Sequence, residues 1–259
     1  MSEPFYHLRP NKYVDRQLFA ATLSALAGVY DLPKYHYIGF GSYLFDDFKL
    51  LHNLLNIQKM TSLEADHNTF ERAVFNLPYN CINVIESTST DYITCFEHED
   101  NNYIFWLDYT NPSEIGQQFS DIASLLDKAV CGDIIKVTIN ANVSSLSAKE
   151  LYGEAQQKKR LEELNNRLGD SVPCDITYSD MTTNKYPLTL LKCLKSLIEK
   201  TLSPSEYDSR FFVPLLTTIY RDGQFMLTLT GIVLENEEER NKVKSVAIQQ
   251  FLPHLLTCV

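Results

Sequence analysis

Three short stretches of the sequence carry residues able to bind a ligand or perform chemistry. The first is the turn at 38–42, IGFGS, in which two glycines follow a short apolar run. A glycine-rich turn after a strand lets the backbone approach a ligand closely and presents the amides of a helix N-terminus. From these residues alone, a tight strand-to-helix turn without a ligand explains the pattern equally well.

The second and third stretches each end an apolar run with an acid. Glu64 lies 25 residues after the first glycine of the turn. Nucleotide-binding α/β proteins place the acid that binds the ribose hydroxyls at a similar distance. Asp108, in WLDYT, ends a buried run, where a carboxylate needs a partner or a function. We expect it to hold a substrate amine or hydroxyl, to act as a base, or to ligate a metal. The alternatives are an exposed acid for Glu64 and a helix cap for Asp108.

The elements that must position these residues alternate between strands and helices. Five short apolar runs predict strands, and they begin at residues 36, 59, 81, 102 and 133. Amphipathic segments between them predict helices. Two long arms joined at 221–223, RDG, predict an antiparallel hairpin over 211–235. The order predicts an α/β fold with a doubly wound, mostly parallel sheet, whose strand carboxyl ends share one ligand-binding edge.

The chain is predicted to form a single domain over 1–259. A helix is expected over 8–30, and a charged helical insertion at about 147–170, where opposite charges recur at a spacing of four residues. The amphipathic segment YPLTLLKCLKSLIEKTL predicts a further helix before the hairpin, and NEEERNKVKSVAIQQFLPHLL a last one after it.

Composition narrows the class of protein. The chain has 23 basic and 33 acidic residues, a net charge of -10, which disfavours non-specific nucleic-acid binding without excluding it. No apolar stretch reaches the roughly 18 residues of a membrane span, and the start has no signal-peptide core. The six cysteines are scattered without a CxxC pair. We therefore expect reduced thiols, no metal site and a cytoplasmic location.

Other polar residues have two interpretations each. Arg9, Lys12 and Arg16 form a small basic cluster with Asn11. It would contact a phosphate or an acidic substrate, or cap and solvate the first helix, which we favour. His36 and His52 flank the glycine turn as potential general bases, but a lone histidine is more often structural.

Several of these stretches resemble a known family. They are YIGFGSYLFDDFKLLHNLLNIQKMTSLEAD, FNLPYNCI, FWLDYT and IIKVTINAN, with the opening LRPNKYVDRQLF. Together they resemble the class I S-adenosylmethionine-dependent methyltransferases, in particular uncharacterised bacterial O-methyltransferases, over most of residues 8–235. The resemblance implies a Rossmann-like sheet of seven strands that ends in the antiparallel hairpin.

The resemblance also implies S-adenosylmethionine as cofactor and a role for each matching residue. The methionine and ribose portions would be lined by Gly39, Gly41 and Ser42, and the ribose hydroxyls would be bound by Glu64. The adenine would be flanked by Ser87 to Thr90, chiefly by Ser87 and Thr88. Asp108 and Tyr109 would be the catalytic, substrate-contacting pair. The sequence departs from the pattern in four places. Tyr37-Ile38 replaces the usual acid before the turn, the third glycine is missing, Ser42 and Tyr43 stand where small residues are expected, and NPPY is absent.

Three functions follow from these observations. The first is an S-adenosylmethionine-dependent methyltransferase of unknown acceptor. The second is a catalytically silent binding subunit on the same fold, acting with partner proteins in a bacterial anti-phage assembly; the weakened glycine motif favours it. The third is an NAD-type dehydrogenase, which the closing hairpin and the incomplete GxGxxG motif disfavour.

Overall fold

The computed structural model describes residues 9–146, 150–203 and 208–245. The strands are β1 (His36–Gly39), β2 (Lys59–Glu64), β3 (Ile82–Glu86), β4 (Tyr103–Tyr109), β5 (Ile134–Asn140), β6 (Phe211–Asp222) and β7 (Gln224–Leu234). The helices within these ranges are α1 (Pro10–Leu26), α2 (Asp46–Leu55), α3 (His67–Phe75), α4 (Ser89–Cys95), α5 (Ile115–Lys128), α6 (Gly153–Leu168), α7 (Tyr186–Thr201) and α8 (237–245), besides short 3-10 turns.

The strands form one sheet in the order β3-β2-β1-β4-β5-β7-β6. Strands β1 to β5 pair in parallel, whereas β7 is antiparallel to both β5 and β6. The chain builds outward from β1 to β3 and then returns to place β4 beside β1. This reversal creates a crevice at the carboxyl ends of β1 and β4, where open α/β sheets bind ligands. The predicted doubly wound sheet with its antiparallel hairpin is confirmed.

Helices cover both faces of the sheet. One apolar core packs α1, α2 and α3 on one face, and a second packs α4, α5, α6 and α7 on the other. Strand β4 alternates between them, since Trp106 belongs to the first core and Phe105 to the second. Burial on both faces explains the unbroken apolar run of this strand. None of the described helices is long and apolar enough to span a membrane.

Helix boundaries differ from the prediction at two places. Helix α1 begins at Pro10, whose ring suits the first helical turn, and ends at Leu26, inside the predicted range 8–30. In the charged segment, α6 spans Gly153–Leu168, while 147–149 lie outside the described residues. It buries Leu164 and Leu168 and leaves its other face exposed. Of the predicted last helix, only 237–245 is described.

A buried ion pair fixes α1 to the centre of the sheet. Lys136 on β5 is fully buried, and its Nζ lies 2.6 Å from Oδ2 of Asp15 on α1. The other oxygen of Asp15 accepts hydrogen bonds from Thr218 (2.6 Å) and Thr228 (2.9 Å) on the hairpin. The Lys136 ammonium also lies 4.3 Å from the Trp106 ring centroid. Pairing, hydrogen bonds and the ring offset the cost of burying both charges.

Candidate functional site

A cleft of about 560 Å³ opens at the carboxyl edge of the sheet. Its walls are the turn after β1, the end of β2, the loops after β3 and β4, and the first turns of α5. Six of the eight predicted site residues line it: Ser42, Glu64, Ser87, Thr88, Asp108 and Tyr109. The parallel register brings them together, because the strands end side by side where the strand order reverses.

Glu64 is a buried carboxylate in the wall of this cleft. Its residue is 8% exposed, which rules out the alternative of an exposed acid at the end of β2. Burial raises its pKa to about 7, although the backbone N–H of Ser42 and the hydroxyl of Ser62 hydrogen bond to the carboxylate and oppose the shift. At neutral pH this group is poised between its two protonation states, and it offers acceptor oxygens to a ligand.

The two glycines of the turn are required by internal packing. A Cβ at Gly41 would lie 2.7 Å from Ser62 Oγ and 2.8 Å from the Phe45 ring, and one at Gly39 would lie 2.7 Å from Tyr37 Oη. The N–H of Gly41 donates to Ser62 Oγ at 2.9 Å. Neither glycine lines the 560 Å³ cleft, so a ligand role for Gly39 and Gly41 stays a prediction.

The backbone of the turn is strained at Ser42, the residue whose N–H contacts Glu64. Ser42 has a φ of +49°, a left-handed conformation that residues with a side chain rarely adopt. Phe45, four residues after Gly41 at the start of α2, has a φ of +52°. Backbone strain of this kind costs about 1–3 kcal/mol per residue and persists where the surroundings enforce it. Here it brings the Ser42 N–H to the Glu64 carboxylate.

The missing acid before the turn has a replacement from elsewhere in the chain. Tyr37, which occupies that position, is fully buried and donates its hydroxyl hydrogen to Asp47 on α2. Burial raises the pKa of Asp47, which is 8% exposed. A carboxylate from the following helix is therefore tied to β1 through a tyrosine, next to the position where the resemblance led us to expect an acid.

Asp121 on α5 organises the loops after β3 and β4, although no sequence motif marks it as a site residue. This 3% exposed carboxylate accepts hydrogen bonds from Ser89 (2.8 Å), Thr90 (2.9 Å), Tyr109 (3.0 Å) and Gln117 (3.0 Å). It joins the start of α4 to the end of β4 and lines the cleft. The only sequence signal was an acid on the apolar face of an amphipathic helix.

Thr88 and Tyr109 are held by local hydrogen bonds. The Thr88 hydroxyl accepts from the Asp91 N–H at 3.1 Å and so caps α4. The Tyr109 hydroxyl points to Asp121, and its ring packs edge-on against Phe40 with centroids 6.0 Å apart. In the free protein Tyr109 therefore shapes the cleft wall with its hydroxyl already engaged.

Asp108 is paired with a lysine from the N-terminal helix. Lys12 Nζ lies 2.5 Å from Asp108 Oδ2, and Lys12 is only 4% exposed. Solvation of α1 by Lys12 was therefore the wrong interpretation, because this cation is buried against the site. The cap proposed for Asp108 belongs instead to Asn111, which accepts from the Ser113 N–H at 3.1 Å. Asp108 Oδ1 is buried and has no hydrogen-bond partner within the described part of the chain.

Two further cavities meet at the Lys12–Asp108 pair. A pocket of about 20 Å³ is lined by both residues together with Arg16, Gly41 and Asp46. A cavity of about 300 Å³ lies between α1 and the β6–β7 hairpin, and Lys12 and Thr110 line it. Thr110 also lines the 560 Å³ cleft. The three spaces therefore adjoin at the end of β4.

The two histidines near the turn have structural contacts. His36 Nε2 hydrogen bonds to Thr61 Oγ1 at 2.8 Å, and its ring packs on Tyr103 at the amino end of the sheet. Burial lowers the His36 pKa to about 4, so it is neutral at physiological pH. His52 Nδ1 lies 2.9 Å from the carbonyl oxygen of Ile57. The structural interpretation that we favoured for both histidines fits these contacts.

Among the residues that the structure describes, the cysteines and the metal-ligating side chains form no metal site. Five cysteines are free thiols there, and Cys258 lies outside the described residues. Within the same ranges, His, Cys, Asp and Glu side chains form no group of three or more suited to a metal ion.

Solved structures with a similar fold include three proteins of low sequence identity. The cofactor-bound protein Rv0187 from MTB is 12% identical, with a TM-score of 0.45, over 91% of this chain and 83% of that one. The O-methyltransferase TomG from Streptomyces achromogenes, in complex with SAM, is 13% identical, with a TM-score of 0.41, over 82% and 78%. Methanococcus jannaschii fibrillarin, a pre-rRNA processing protein, is 11% identical, with a TM-score of 0.44, over 80% and 70%.

No curated protein matches the sequence. One protein-family model does, and it matches residues 4–254, nearly the whole chain. That model spans every strand of the sheet and every residue of the cleft described above. The chain therefore belongs to the family described as "Putative O-methyltransferase".

Proposed function

We propose that this protein transfers a methyl group from S-adenosylmethionine to a hydroxyl oxygen of an acceptor molecule. The observation that carries the proposal is the cleft of about 560 Å³ at the point where the strand order reverses, with the buried Glu64 in its wall. Membership of the O-methyltransferase family supports it. An NAD-type dehydrogenase is disfavoured, because the antiparallel β6–β7 hairpin is not part of a dinucleotide-binding sheet.

The residues of the cleft fit the parts of S-adenosylmethionine. The Glu64 carboxylate suits the two ribose hydroxyls, and Ser87 and Thr88 with the apolar Leu63 suit the adenine. The adjoining pocket of about 20 Å³ carries both signs of charge, with Arg16 and Asp46 among its walls, but it has room for only about one water molecule. The amino-acid portion would therefore lie in the cleft with its charged end facing this pocket. When bound, the cofactor supplies an electrophilic methyl group on a sulfonium.

Asp108 is placed to hold the methyl acceptor. It lies at the end of β4, in the wall of the cleft, and its Oδ1 has no hydrogen-bond partner among the described residues. Lys12 at 2.5 Å binds the other oxygen and balances its charge. The carboxylate can therefore accept the hydrogen bond of a hydroxyl and receive its proton as the oxygen is methylated. Methyl transfer depends mainly on alignment, which this fixed carboxylate provides.

Calorimetric titration of S-adenosylmethionine into the full chain tests the cofactor site. We expect micromolar binding that Glu64→Ala weakens by roughly tenfold or more, since two hydrogen bonds to the Glu64 carboxyl group are lost. Glu86→Ala is the matched control, because Glu86 is the register partner of Glu64 on β3 but pairs with His67 outside the cleft. A folded wild type that binds no cofactor would overturn the proposal.

A further inference from the structure

The cavity of about 300 Å³ between α1 and the hairpin contains polar groups that no contact in the fold explains. Asn140, Met226 and Tyr220 form one row across it, because Asn140 pairs with Met226 in the β5–β7 register and Tyr220 pairs with Met226 in the β6–β7 register. Directly paired residues of antiparallel strands have side chains on the same face. The row therefore presents an amide, a thioether and a phenol to one cavity.

Two atoms of this row lack hydrogen bonds. The Nδ2 of Asn140 donates to the carbonyl oxygen of Thr110 at 2.8 Å, which fixes the amide orientation. Its Oδ1 and the hydroxyl of Tyr220 are both shielded from solvent, and neither has a partner within the described residues. Leaving a buried polar atom unpaired costs about 1–3 kcal/mol, so two of them in one cavity call for an explanation.

The charges around Tyr220 determine what the cavity accepts. Burial, and then the carboxylates of Asp108, Asp15 and Asp222, raise the pKa of Tyr220, so its hydroxyl keeps its proton. These three acids already have partners, since Asp108 pairs with Lys12, Asp15 with Lys136, and Asp222 accepts from the Lys12 N–H at 2.8 Å. The charged residues that line the cavity are Arg9, Lys12 and Asp222, which carry both signs of charge. Neither an added anion nor an added cation is therefore favoured, and an uncharged group fits best.

We propose that this cavity is the methyl-acceptor site and that it binds a small uncharged aromatic alcohol. Before transfer, one hydroxyl group satisfies both atoms, because it donates to Asn140 Oδ1 and accepts from the Tyr220 hydroxyl. In the transfer step the same hydroxyl turns its hydrogen to Asp108, which receives the proton as the oxygen is methylated. The flat ring packs against the flexible thioether of Met226, which adapts to aromatic surfaces. The cavity meets the cofactor cleft at Thr110, beside Asp108. Its role as acceptor site rests on the proposed function, whereas its binding chemistry does not.

Solution NMR of the full chain, with 13C-labelled methionine methyl groups, tests this assignment with phenol as the probe. The sequence has four methionines, so the Met226 resonance can be assigned with a Met226→Leu variant. We expect phenol to shift the Met226 resonance and to leave Met60 and Met181, buried in the two cores, unchanged. Anisole, which cannot donate a hydrogen bond, and benzoate, which is charged, should shift Met226 less at equal concentration.

Tyr220→Phe provides the decisive variant. The hydroxyl that it removes has no partner among the residues that the structure describes, so the change breaks no hydrogen bond there and the fold is retained. We expect it to weaken phenol binding about fivefold, whereas Tyr152→Phe, at an 81% exposed position, leaves binding unchanged. Equal phenol binding by both variants, a preference for benzoate, or no shift of Met226 would overturn the assignment. Because phenol is titrated without cofactor, a failed cofactor titration would reject the proposed function separately.

Discussion

Glu64 should make the free protein less stable at high pH, and removing its charge should restore that stability. The folded chain holds the Glu64 proton until about pH 7, whereas an unperturbed glutamate releases it near pH 4.5. Between these values the folded state binds more protons than the unfolded state, so the free energy of unfolding falls as pH rises. The stability that comes from keeping Glu64 protonated is fully present below pH 4.5 and is largely lost by about pH 7.

The pKa difference sets the size of the effect. At about 1.4 kcal/mol per pH unit, ionising this group in the fold costs about 3 kcal/mol in all, of which about 2 kcal/mol falls between pH 5.5 and pH 8. Glu64→Gln cannot ionise and still offers an oxygen to the Ser42 N–H. Relative to the wild type, we therefore expect the variant to gain about 2 kcal/mol in stability between these two pH values.

Urea unfolding at both pH values, followed by far-UV circular dichroism, measures this change. The comparison uses the difference between variant and wild type, in which other titrating groups cancel. Glu97→Gln is the control, because Glu97 is an exposed acid and should show no comparable gain. Glu86 does not serve here, because its contact with His67 raises the pKa of that histidine. A Glu64→Gln stability difference that is the same at pH 5.5 and pH 8 would refute the view of Glu64 as a buried, costly carboxylate.

Three other substitutions test the polar groups that support the site. Asp121→Asn should lower the affinity for S-adenosylmethionine in calorimetry, because the loops after β3 and β4 lose their shared hydrogen-bond acceptor, whereas Asp127→Asn on the exposed face of α5 should not. Lys136→Met should cost about 3–5 kcal/mol in urea unfolding by leaving Asp15 buried and unpaired, and adding Asp15→Asn should recover part of it. If Lys12 positions Asp108, Lys12→Met should shift the pH profile of methyl transfer, and Lys12→Arg should preserve it better.

The fold could be predicted because its signals are local. Apolar runs of strand length, the amphipathic segments between them and the Arg-Asp-Gly hairpin turn each lie within a few consecutive residues. Glu64 was identifiable for the same reason, since its spacing from the glycine turn is a property of one βαβ unit. Helix ends were less predictable, as α1 shows, because caps depend on contacts outside the helix.

The contacts that complete the site could not be predicted, because they join residues far apart in the chain. Lys12 and Asp108 are 96 residues apart, and the amino-terminal charges gave no indication of a buried partner. The Asn140–Met226–Tyr220 row depends on the register of two antiparallel pairings, and a shift of one residue would turn each side chain to the other face. The predicted partner assembly with an anti-phage role likewise depends on surfaces that local patterns do not reveal, and it stays a prediction.

Helix α1 should therefore be regarded as part of the site. Three residues of α1 bind the sheet at successive positions toward the start of the helix. Asp15 binds Lys136 in the core, and Lys12 binds Asp108 at the edge of the sheet. Asn11 binds Asp222 at the tip of the hairpin. The deepest pair is fully buried and fixes the helix, so that the position of Lys12 beside Asp108 follows from it. The same helix closes one side of the cavity that contains Tyr220. The anchoring of α1 thus determines both the orientation of Asp108 and the shape of the proposed methyl-acceptor site.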